Sequence, residues 1–247
     1  MTYSCELEKI DSEVFGFDVY NLRLGNSDLN LSEHIEKIAS VGRSAYLVLH
    51  VDAAKISEIH EAEEQGFRFL ETNFATTLRL RSSYDTSGCP YEYHKVENLN
   101  DLGEVCEIAD KTTNLDRFSL DSLIGKRLSG ARYVRYLQRS FHDASEEVWA
   151  VRSRKSGRLL TFRSHRWLTP DRVRLLNGGV HPDFKESGLG VVSTHFCFNS
   201  LLSFGVKKAE SQISVTNLPI VNLEVGYFDF KVTHASVVLR KAVNWKL

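Results

Sequence analysis

Hydrophobic and polar residues follow two different periods along the first third of the chain, and each period predicts one kind of element. Alternation or short apolar runs predict strands over residues 19–24, 46–51 and 67–80, and helical spacing predicts helices over residues 32–41 and 54–65. Turn-forming residues then accumulate over residues 82–90, which read Ser-Ser-Tyr-Asp-Thr-Ser-Gly-Cys-Pro. We therefore predict a smaller N-terminal α/β domain over residues 1–82 and a second domain over residues 91–247.

The second part of the chain has a longer series of elements. Helical spacing predicts helices over residues 99–111, 130–140 and 189–204, with a polar loop over residues 114–122. Apolar runs predict strands over residues 148–152, 159–165, 173–180, 210–215 and 228–239, with a further helix between the last two. The order β-α-β-β-β-α-β-α-β predicts an α/β fold in which helices flank a mixed, mostly antiparallel sheet.

Two segments of the chain are weakly repeated. Residues 67–79 align without gaps on residues 228–240 and share two Phe, one Thr and a final Leu-Arg pair. Each copy follows a predicted strand and helix. Either two hydrophobic strands coincide by chance, or the N-terminal domain is a truncated copy of part of the second domain. In both cases we expect the chemistry to lie in the second domain.

Residues 181–190, His-Pro-Asp-Phe-Lys-Glu-Ser-Gly-Leu-Gly, join a predicted strand to a predicted helix through a glycine-spaced loop. The unpaired N–H groups of such a loop and the positive end of the helix dipole favour a bound anion, such as a phosphate or pyrophosphate. The preceding strand contains Gly178 and Gly179, and a glycine pair inside a strand indicates a β-bulge or a close backbone approach. The spacing is not that of a dinucleotide-binding loop or of a P-loop.

Composition excludes several other classes of protein. The chain has 247 residues, 42% hydrophobic content and a formal net charge of −1, which argues against broad nucleic-acid binding. No apolar run approaches the length needed to span a bilayer, so we expect no membrane partner and a cytoplasmic location. The four cysteines lack Cys-x-x-Cys spacing, so we expect no metal site and no disulfide framework.

The loop resembles the coenzyme loop of the GNAT superfamily of acyl-CoA-dependent N-acyltransferases. Lys185, Gly188 and Gly190 match its basic-x-x-Gly-x-Gly pattern, and Val180-x-Pro182 resembles its lead-in. The resemblance implies a GNAT-like fold, with coenzyme A as the acyl-carrying co-substrate and without a metal. It assigns coenzyme binding to a set of residues: Gly179, Val180, Lys185, Glu186, Ser187, Gly188, Leu189, Gly190, Asn217 and Asn222.

The segment after Asn217 departs from the family pattern. The family has Leu-Tyr-x-x-x-Gly-Phe there, whereas this chain reads Leu-Glu-Val-Gly-Tyr-Phe-Asp-Phe over residues 223–230. The family's glycine then corresponds to Tyr227 or Asp229, depending on the register. The tyrosine that often protonates the leaving thiolate falls within residues 223–225, where there is no tyrosine.

The order of weaker motifs resembles that of bacterial dTDP-amino-sugar N-acyltransferases of this superfamily. These motifs are residues 11–17, residues 63–67 and Leu-Asp-Arg-Phe over residues 115–118, followed by a Tyr/Arg-rich helix and the coenzyme loop. The resemblance implies a nucleotide-linked amino sugar as the amine acceptor, and it leaves a homodimer open. Cations for its diphosphate and aromatic rings for its base are offered by five residues: Arg117, Phe118, Arg132, Tyr133 and Arg163.

Three residues are candidates for proton transfer during acyl transfer, which needs a neutral amine and a protonated leaving thiolate. His165 lies on a strand next to the predicted coenzyme strand, Glu224 is a candidate base, and Tyr227 is a candidate displaced acid. Each is also compatible with a packing or surface role. Acylation of a peptide or another small amine, and a catalytically silent acyl-CoA-binding module, are the alternative functions.

Overall fold

The computed structural model describes residues 2–25, 29–112 and 116–245. The chain forms two compact units. Unit 1 comprises Met1–Phe74, Ser214–Thr216 and His234–Leu247, and unit 2 comprises Ala75–Ile213 and Asn217–Thr233. Each unit is described separately below.

Unit 1 is an α/β unit built on a mixed sheet. Its elements are β1 (Tyr3–Leu7), α1 (Lys9–Phe15), β2 (Asp18–Leu24), α2 (Leu31–Ser40), β3 (Ala45–Asp52), α3 (Ile56–Glu64), the first part of β4 (Arg68–Arg79) and most of β10 (Lys231–Val243). Strand β2 pairs in antiparallel with β1 and in parallel with β3, and β3 pairs in antiparallel with β10. The core is formed where the buried faces of β2 and β3 meet α2 and α3.

Unit 2 holds the predicted coenzyme loop. Its elements are β5 (Tyr91–Lys95), α4 (Leu99–Thr112), α5 (Arg117–Leu120), α6 (Gly125–His142), β6 (Glu146–Ser153), β7 (Leu159–Thr169), β8 (Arg172–Val180), α7 (Leu189–Ser203), β9 (Lys208–Ser214) and α8 (Leu218–Val221), with a π-helix over Asn222–Tyr227. The strand order is β9-β8-β7-β6-β5. The β8–β9 pair is parallel, and the other pairs are antiparallel.

Two hydrophobic clusters cover the two faces of the unit 2 sheet, because successive strand residues point to opposite sides. One cluster joins α4 and α6 to the sheet and includes Phe162. The other lies under α7 and includes Val173 and Phe198. Glu146, whose side chain is buried, ties α6 to the sheet by accepting from Arg139 and Arg166. The predicted coenzyme loop is thus attached to a packed scaffold.

The predicted elements of both units are present, with ends shifted by a few residues. The prediction missed β1, α1 and β5, which are short, and it missed α5, which lies in the predicted polar loop; residues 113–115 of that loop are outside the described residues. The mixed α/β fold class is confirmed. The division between units differs from the prediction, since it falls after Phe74 and groups His234–Leu247 with unit 1. Long-range strand pairing, which local pattern does not reveal, causes this difference.

The register of the predicted repeat is wrong by two residues. Gly66 and Asp229 both have a positive φ, of 84° and 59°, and each is followed by a buried Phe and then by the start of a strand. Phe67 therefore corresponds locally to Phe230 rather than to Phe228. The shared turn geometry, which the ungapped alignment ignored, decides the register.

In the described part of the chain, no helix has the length and apolar character that would let it cross a membrane.

Candidate functional site

Strands β8 and β9 are paired over only the first part of their length. The parallel register covers three pairs, and the last pair joins Arg174 to Glu210. In unit 1, the parallel strands β2 and β3 keep six pairs, from Asp18↔Ala45 to Arg23↔His50. Beyond Arg174, the edge of β8 that faces β9 therefore offers backbone groups that are not used in a ladder with β9. These groups can pair with an extended ligand that lies between the strands.

A β-bulge lies in β8 at the point where the strands have separated. Arg163 of β7 is opposite Gly178, whereas His165 is opposite Leu175, so β8 carries one extra residue in this interval. The hydroxyl of Ser164 fills the gap and accepts a hydrogen bond from the N–H of Asn177 at 3.1 Å. The predicted bulge is present, and it lies immediately before the glycine pair.

Close packing gives a second reason for glycine at position 179. A Cβ atom on Gly179 would lie 2.7 Å from Cε1 of Phe162 and 2.9 Å from Oγ1 of Thr112. A Cβ atom on Gly178 would lie no closer than 3.4 Å to any atom outside its chain neighbours. Gly179 thus allows helix α4 to approach the sheet closely, and Gly178 faces the side of Arg163.

Strand β8 leads directly into the predicted coenzyme loop. A 3₁₀ turn over Pro182–Phe184 is followed by two residues with positive φ, Glu186 at 65° and Gly188 at 79°. The first bonds of α7 run from the N–H groups of Val191 and Val192 to the carbonyl of Gly188. The N–H groups of Leu189 and Gly190 therefore precede the first intrahelical bond and point out of the helix N-terminus. This geometry is suited to a bound anion.

The other loop residues of the predicted set are adjacent to this N-terminus. The side chains of Lys185, Glu186 and Ser187 are exposed, and Ser187 donates a hydrogen bond from its hydroxyl to the carbonyl of Phe184 at 2.6 Å. Lys185 places an exposed positive charge in the loop. Glu186 takes part in the turn because its backbone has a positive φ. The structure thus brings together the predicted residues from Gly179 to Gly190.

Arg163 lies beside the coenzyme loop, and its contacts differ from the predicted role in acceptor binding. Its Nη2 donates to the carbonyl of Gly190 at 3.0 Å, and its Nε donates to Oγ of Ser193 at 3.1 Å. Both partners belong to the first turns of α7. Arg163 therefore contacts the first turns of α7, next to the predicted coenzyme loop. The sequence alone did not reveal that this residue points toward α7.

Asn217 begins the short helix α8, and its carbonyl accepts from the N–H groups of Ile220 and Val221. Its side chain forms no capping hydrogen bond with the described residues, so the amide group can serve a ligand. Asn222 is exposed at the start of the π-helix.

The segment after Asn222 explains the departure from the family pattern. It forms a π-helix, in which Phe228 donates to the carbonyl of Leu223, five residues earlier. Asp229 adopts a φ of 59°, a conformation that normally favours glycine, and Phe230 after it is 1% exposed. Asp229-Phe230 therefore corresponds locally to the family's Gly-Phe, and the other register, at Tyr227, is not supported. A π-helix accommodates one inserted residue within a helix, which shifts the pattern.

Glu224 lies at the point where β8 and β9 separate. Its Oε1 accepts from the hydroxyl of Ser211 at 2.9 Å, and its Oε2 accepts from the hydroxyl of Thr76 at 2.9 Å. Ser211 is the first residue of β9 beyond the last pair with β8. Burial raises the pKa of the Glu224 carboxyl, while the two hydrogen bonds and the charge of Arg163 act in the opposite direction. Thr76 and Ser211 were missed, because a small polar residue on a strand carries no recognisable signal.

Tyr227 and His165 differ strongly in exposure. Tyr227 is 58% exposed, and its ring lies near His195 of α7 with centroids 6.0 Å apart. His165 is 2% exposed, and its Nε2 lies 3.4 Å from Oε2 of Glu147. The burial of His165 and its contact with a carboxylate favour a structural role rather than the predicted role as a base.

Four predicted acceptor residues form one cluster. Phe118 is 1% exposed, and the guanidinium carbons of Arg117 and Arg132 lie 4.8 Å and 4.7 Å from the centroid of its ring. Arg132 also lies 5.5 Å from the ring centroid of Tyr133, and burial raises the pKa of Tyr133. The burial of Phe118 and its contacts with the two cations favour a packing role for this ring over stacking on a nucleotide base.

Within residues 2–25, 29–112 and 116–245, there is no group of three or more His, Cys, Asp and Glu side chains arranged to hold a metal ion.

Several solved structures have a similar fold at low sequence identity. A GCN5-related N-acetyltransferase from Sphaerobacter thermophilus aligns over 99% of this chain and 78% of its own, with 11% identity and a TM-score of 0.68. A tandem GNAT protein from the clavulanic acid biosynthesis pathway aligns over 92% of this chain and 76% of its own, with 13% identity and a TM-score of 0.62.

A GCN5-related glucosamine N-acetyltransferase region of a fungal multi-domain β-N-acetylglucosaminidase aligns over 90% of this chain and 30% of its own, with 10% identity and a TM-score of 0.63. No family model and no curated protein matches the chain. In this chain, the separated strands β8 and β9, the bulge in β8 and the predicted anion loop after β8 therefore occur in a fold that is similar to that of these solved structures. The chain has the fold of the GCN5-related N-acetyltransferases.

Proposed function

We propose that the protein is an acyl-CoA-dependent N-acyltransferase that transfers an acetyl or longer short-chain acyl group by direct attack of an amine in a ternary complex. One observation carries this proposal: β8 loses its pairing with β9 after Arg174 and then runs directly into a turn whose N–H groups converge at the N-terminus of α7. An extended amide-containing arm and a pyrophosphate are the two parts of coenzyme A that such a site accommodates.

The coenzyme is held by two sets of groups in this proposal. The N–H groups of Leu189 and Gly190 bind the pyrophosphate, supported by the cations Lys185 and Arg163. The unpaired edge of β8, which includes Gly179 and Val180, pairs with the amides of the pantetheine arm, as the side chain of Asn217 does from α8. Backbone N–H groups on the edge of β8 that faces away from β7 stabilise the oxyanion that forms on the thioester carbonyl.

For the acceptor, we propose the amine of a nucleotide-linked amino sugar, such as a dTDP-amino hexose. The order of weak motifs along the chain supports this class. The glucosamine N-acetyltransferase region of similar fold is compatible with an amino sugar, but its name does not extend to a nucleotide-linked one. The guanidinium groups of Arg117 and Arg132 both lie against the ring of Phe118, and they are the proposed partners of the diphosphate. The burial of Phe118 means that the base is recognised by another group.

The test is to incubate the protein with acetyl-CoA and propionyl-CoA and a panel of amines, while thiol release is followed. The panel contains dTDP-linked 3-amino and 4-amino hexoses, free glucosamine, peptides and polyamines. We expect release of coenzyme A that depends on an amino hexose. If only peptides or polyamines react, the amino-sugar acceptor is wrong and the acyltransferase stands. If no amine reacts with either donor, the acyltransferase proposal is wrong.

A silent acyl-CoA-binding module is the second candidate. It is favoured by one observation, that residues 223–225 contain no tyrosine to protonate the departing thiolate. Tight binding of coenzyme A by calorimetry, together with no turnover over the whole panel, would support this second candidate.

A further inference from the structure

The carboxyl group of Glu224 is bonded to β9 at the first residue beyond the pairing of β9 with β8. Its two oxygens accept from Ser211 of β9 and Thr76 of β4, each at 2.9 Å. Ser211 follows directly after the last residue of β9 that pairs with β8, so the carboxyl lies next to the point where the two strands separate. Under the proposed function, the acyl end of the coenzyme arm lies close to this point. Glu224 is 8% exposed, which separates the carboxyl from bulk water.

We propose that Glu224 carries the proton from the attacking nitrogen to the departing sulfur, so that one carboxyl group serves first as base and then as acid. This inference rests on the proposed acyl transfer. The nitrogen lone pair forms the bond to the thioester carbon, and an N–H proton passes to the Glu224 carboxylate. The C–S bond then breaks, its electron pair remains on sulfur, and the thiolate takes that proton. The carboxylate is restored, and no other reactant is needed.

Other candidates for this role are placed less suitably. Tyr227 is 58% exposed and lies beside His195, and His165 is buried against Glu147. Glu224 differs from them, because its pKa is raised and its carboxyl accepts a hydrogen bond from Ser211 of β9. A carboxylate of raised pKa takes up a proton more readily than an ordinary one.

The groups that face the carboxyl are suited to both of its states. Arg163 of β7 contributes the charge that favours the carboxylate, and the hydroxyls of Ser211 and Thr76 contribute hydrogen bonds. A hydroxyl donates to a carboxylate and can rotate to accept from a carboxylic acid. Ser211 and Thr76 are therefore positioning residues that hold Glu224 through the proton transfer.

The test compares Glu224→Gln with the wild-type protein, using the reactive amine found in the panel. We expect kcat to fall about 100-fold or more, because a positioned acid–base group contributes at least that factor. The KM for acyl-CoA should change less than about threefold, since Gln keeps the volume of the side chain and its hydrogen bonds. Coenzyme A binding by calorimetry shows that the variant is folded.

The pH profile distinguishes proton transfer from a structural role. Wild-type kcat should fall as the pH decreases through the pKa of Glu224, and this acid limb should be absent in Glu224→Gln. Ser211→Ala should keep the limb but move it to higher pH, because one bond to the carboxylate is lost. Glu107→Gln, at an exposed position of α4, is the control and should leave rate and profile unchanged.

Two results would overturn the inference. The first is an unchanged kcat and acid limb in Glu224→Gln, which would leave the acyltransferase function in place. The second is loss of coenzyme A binding in both Glu224→Gln and Glu224→Asp, which would show that the carboxyl is needed for structure. Absence of turnover in the wild-type protein would instead overturn the proposed function itself.

Discussion

Arg163 donates a hydrogen bond from Nη2 to the carbonyl oxygen of Gly190 at 3.0 Å, and this bond ties β7 to the first turn of α7. The positive end of a helix dipole is an unfavourable place for a cation. A bound anion at the same turn would offset the unfavourable interaction between the Arg163 charge and the helix dipole. The bond between Arg163 and Gly190 thus links β7 to the proposed coenzyme site.

Replacing Arg163 with Gln should weaken coenzyme A binding about five- to tenfold, because a charge-assisted contribution is lost while the carbonyl of Gly190 keeps Thr194 as a donor. The acid limb of the kcat profile should also move to higher pH. Arg163 favours the Glu224 carboxylate, so its removal raises the pKa of that carboxyl. Calorimetry and a pH series measure the two effects. Arg163→Lys, which keeps the charge, should show a smaller pH shift, and an unshifted limb in Arg163→Gln would contradict the coupling.

Replacing Gly188 with Glu should weaken coenzyme A binding more than about 100-fold, because the new carboxylate occupies the anion site and repels the pyrophosphate. The backbone also contributes a cost of about 1–2 kcal/mol, since φ is 79°. Gly157→Glu is the matched control, because Gly157 also has a positive φ, of 68°, and an added Cβ there also meets nothing within 4 Å.

Gly157→Glu should retain coenzyme affinity by calorimetry, although it has a similar backbone cost. Lys185→Ala should weaken binding only a fewfold, because contacts of exposed lysines are screened by salt. Equal affinity of Gly188→Glu and the wild-type protein would mean that the loop does not bind the coenzyme.

Replacing Gly179 with Ala should destabilise the protein by about 1–3 kcal/mol, because the new Cβ would lie 2.7 Å from Cε1 of Phe162. Gly178→Ala should cost less than about 0.5 kcal/mol, since its nearest contact would be 3.4 Å from the carbonyl oxygen of Phe162. Urea unfolding of both variants gives the comparison. Equal midpoints would show that close packing against α4 is not the reason for Gly179.

Glu147 should make the folded state sensitive to acid. Its contact with His165 is the largest cause of a pKa lowered from 4.5 to about 2, and Lys95 and Trp149 also donate to it. Because the folded pKa is below the unfolded one, the stabilisation is present above pH 4.5 and is lost as the pH falls from there through about 2. Urea unfolding at pH 7 and pH 3 should therefore show a larger loss for the wild-type protein than for Glu147→Gln. A loss of equal size in both proteins would contradict this assignment.

Local pattern was sufficient where neighbouring residues determine the conformation. The strand before the loop, the glycine spacing from Gly188 to Gly190 and the apolar face of α7 lie next to each other in sequence, so their order alone predicted a helix N-terminus prepared for an anion. Pattern failed for short elements such as β5, whose paired residues in β6 lie far along the chain, from Tyr91↔Ser153 to Lys95↔Trp149. It also failed at Asp229, because a positive φ at a residue other than glycine has no signal in the sequence.

Side-chain direction was the other quantity that pattern did not provide. Phe118 lies in a segment predicted to be a polar loop, and exposure was the natural expectation, yet two cations enclose its ring. Arg163 was expected to meet an acceptor and instead binds Gly190. The contact of Phe118 with Arg132 and that of Arg163 with Gly190 join residues that are not neighbours in the sequence, so local pattern does not reveal them.

The sequence by itself determined the alternation of strands and helices, the position of the anion loop and the donor class that its resemblance implies, because these depend on residues adjacent in the chain. The tertiary structure decided where β8 leaves β9, and that Thr76, Ser211 and Glu224 meet beside the residue of β9 at which this separation begins. These three residues are separated by more than a hundred positions from first to last. Their contact arises only when strand pairing and helix packing close the chain, and no local preference encodes it.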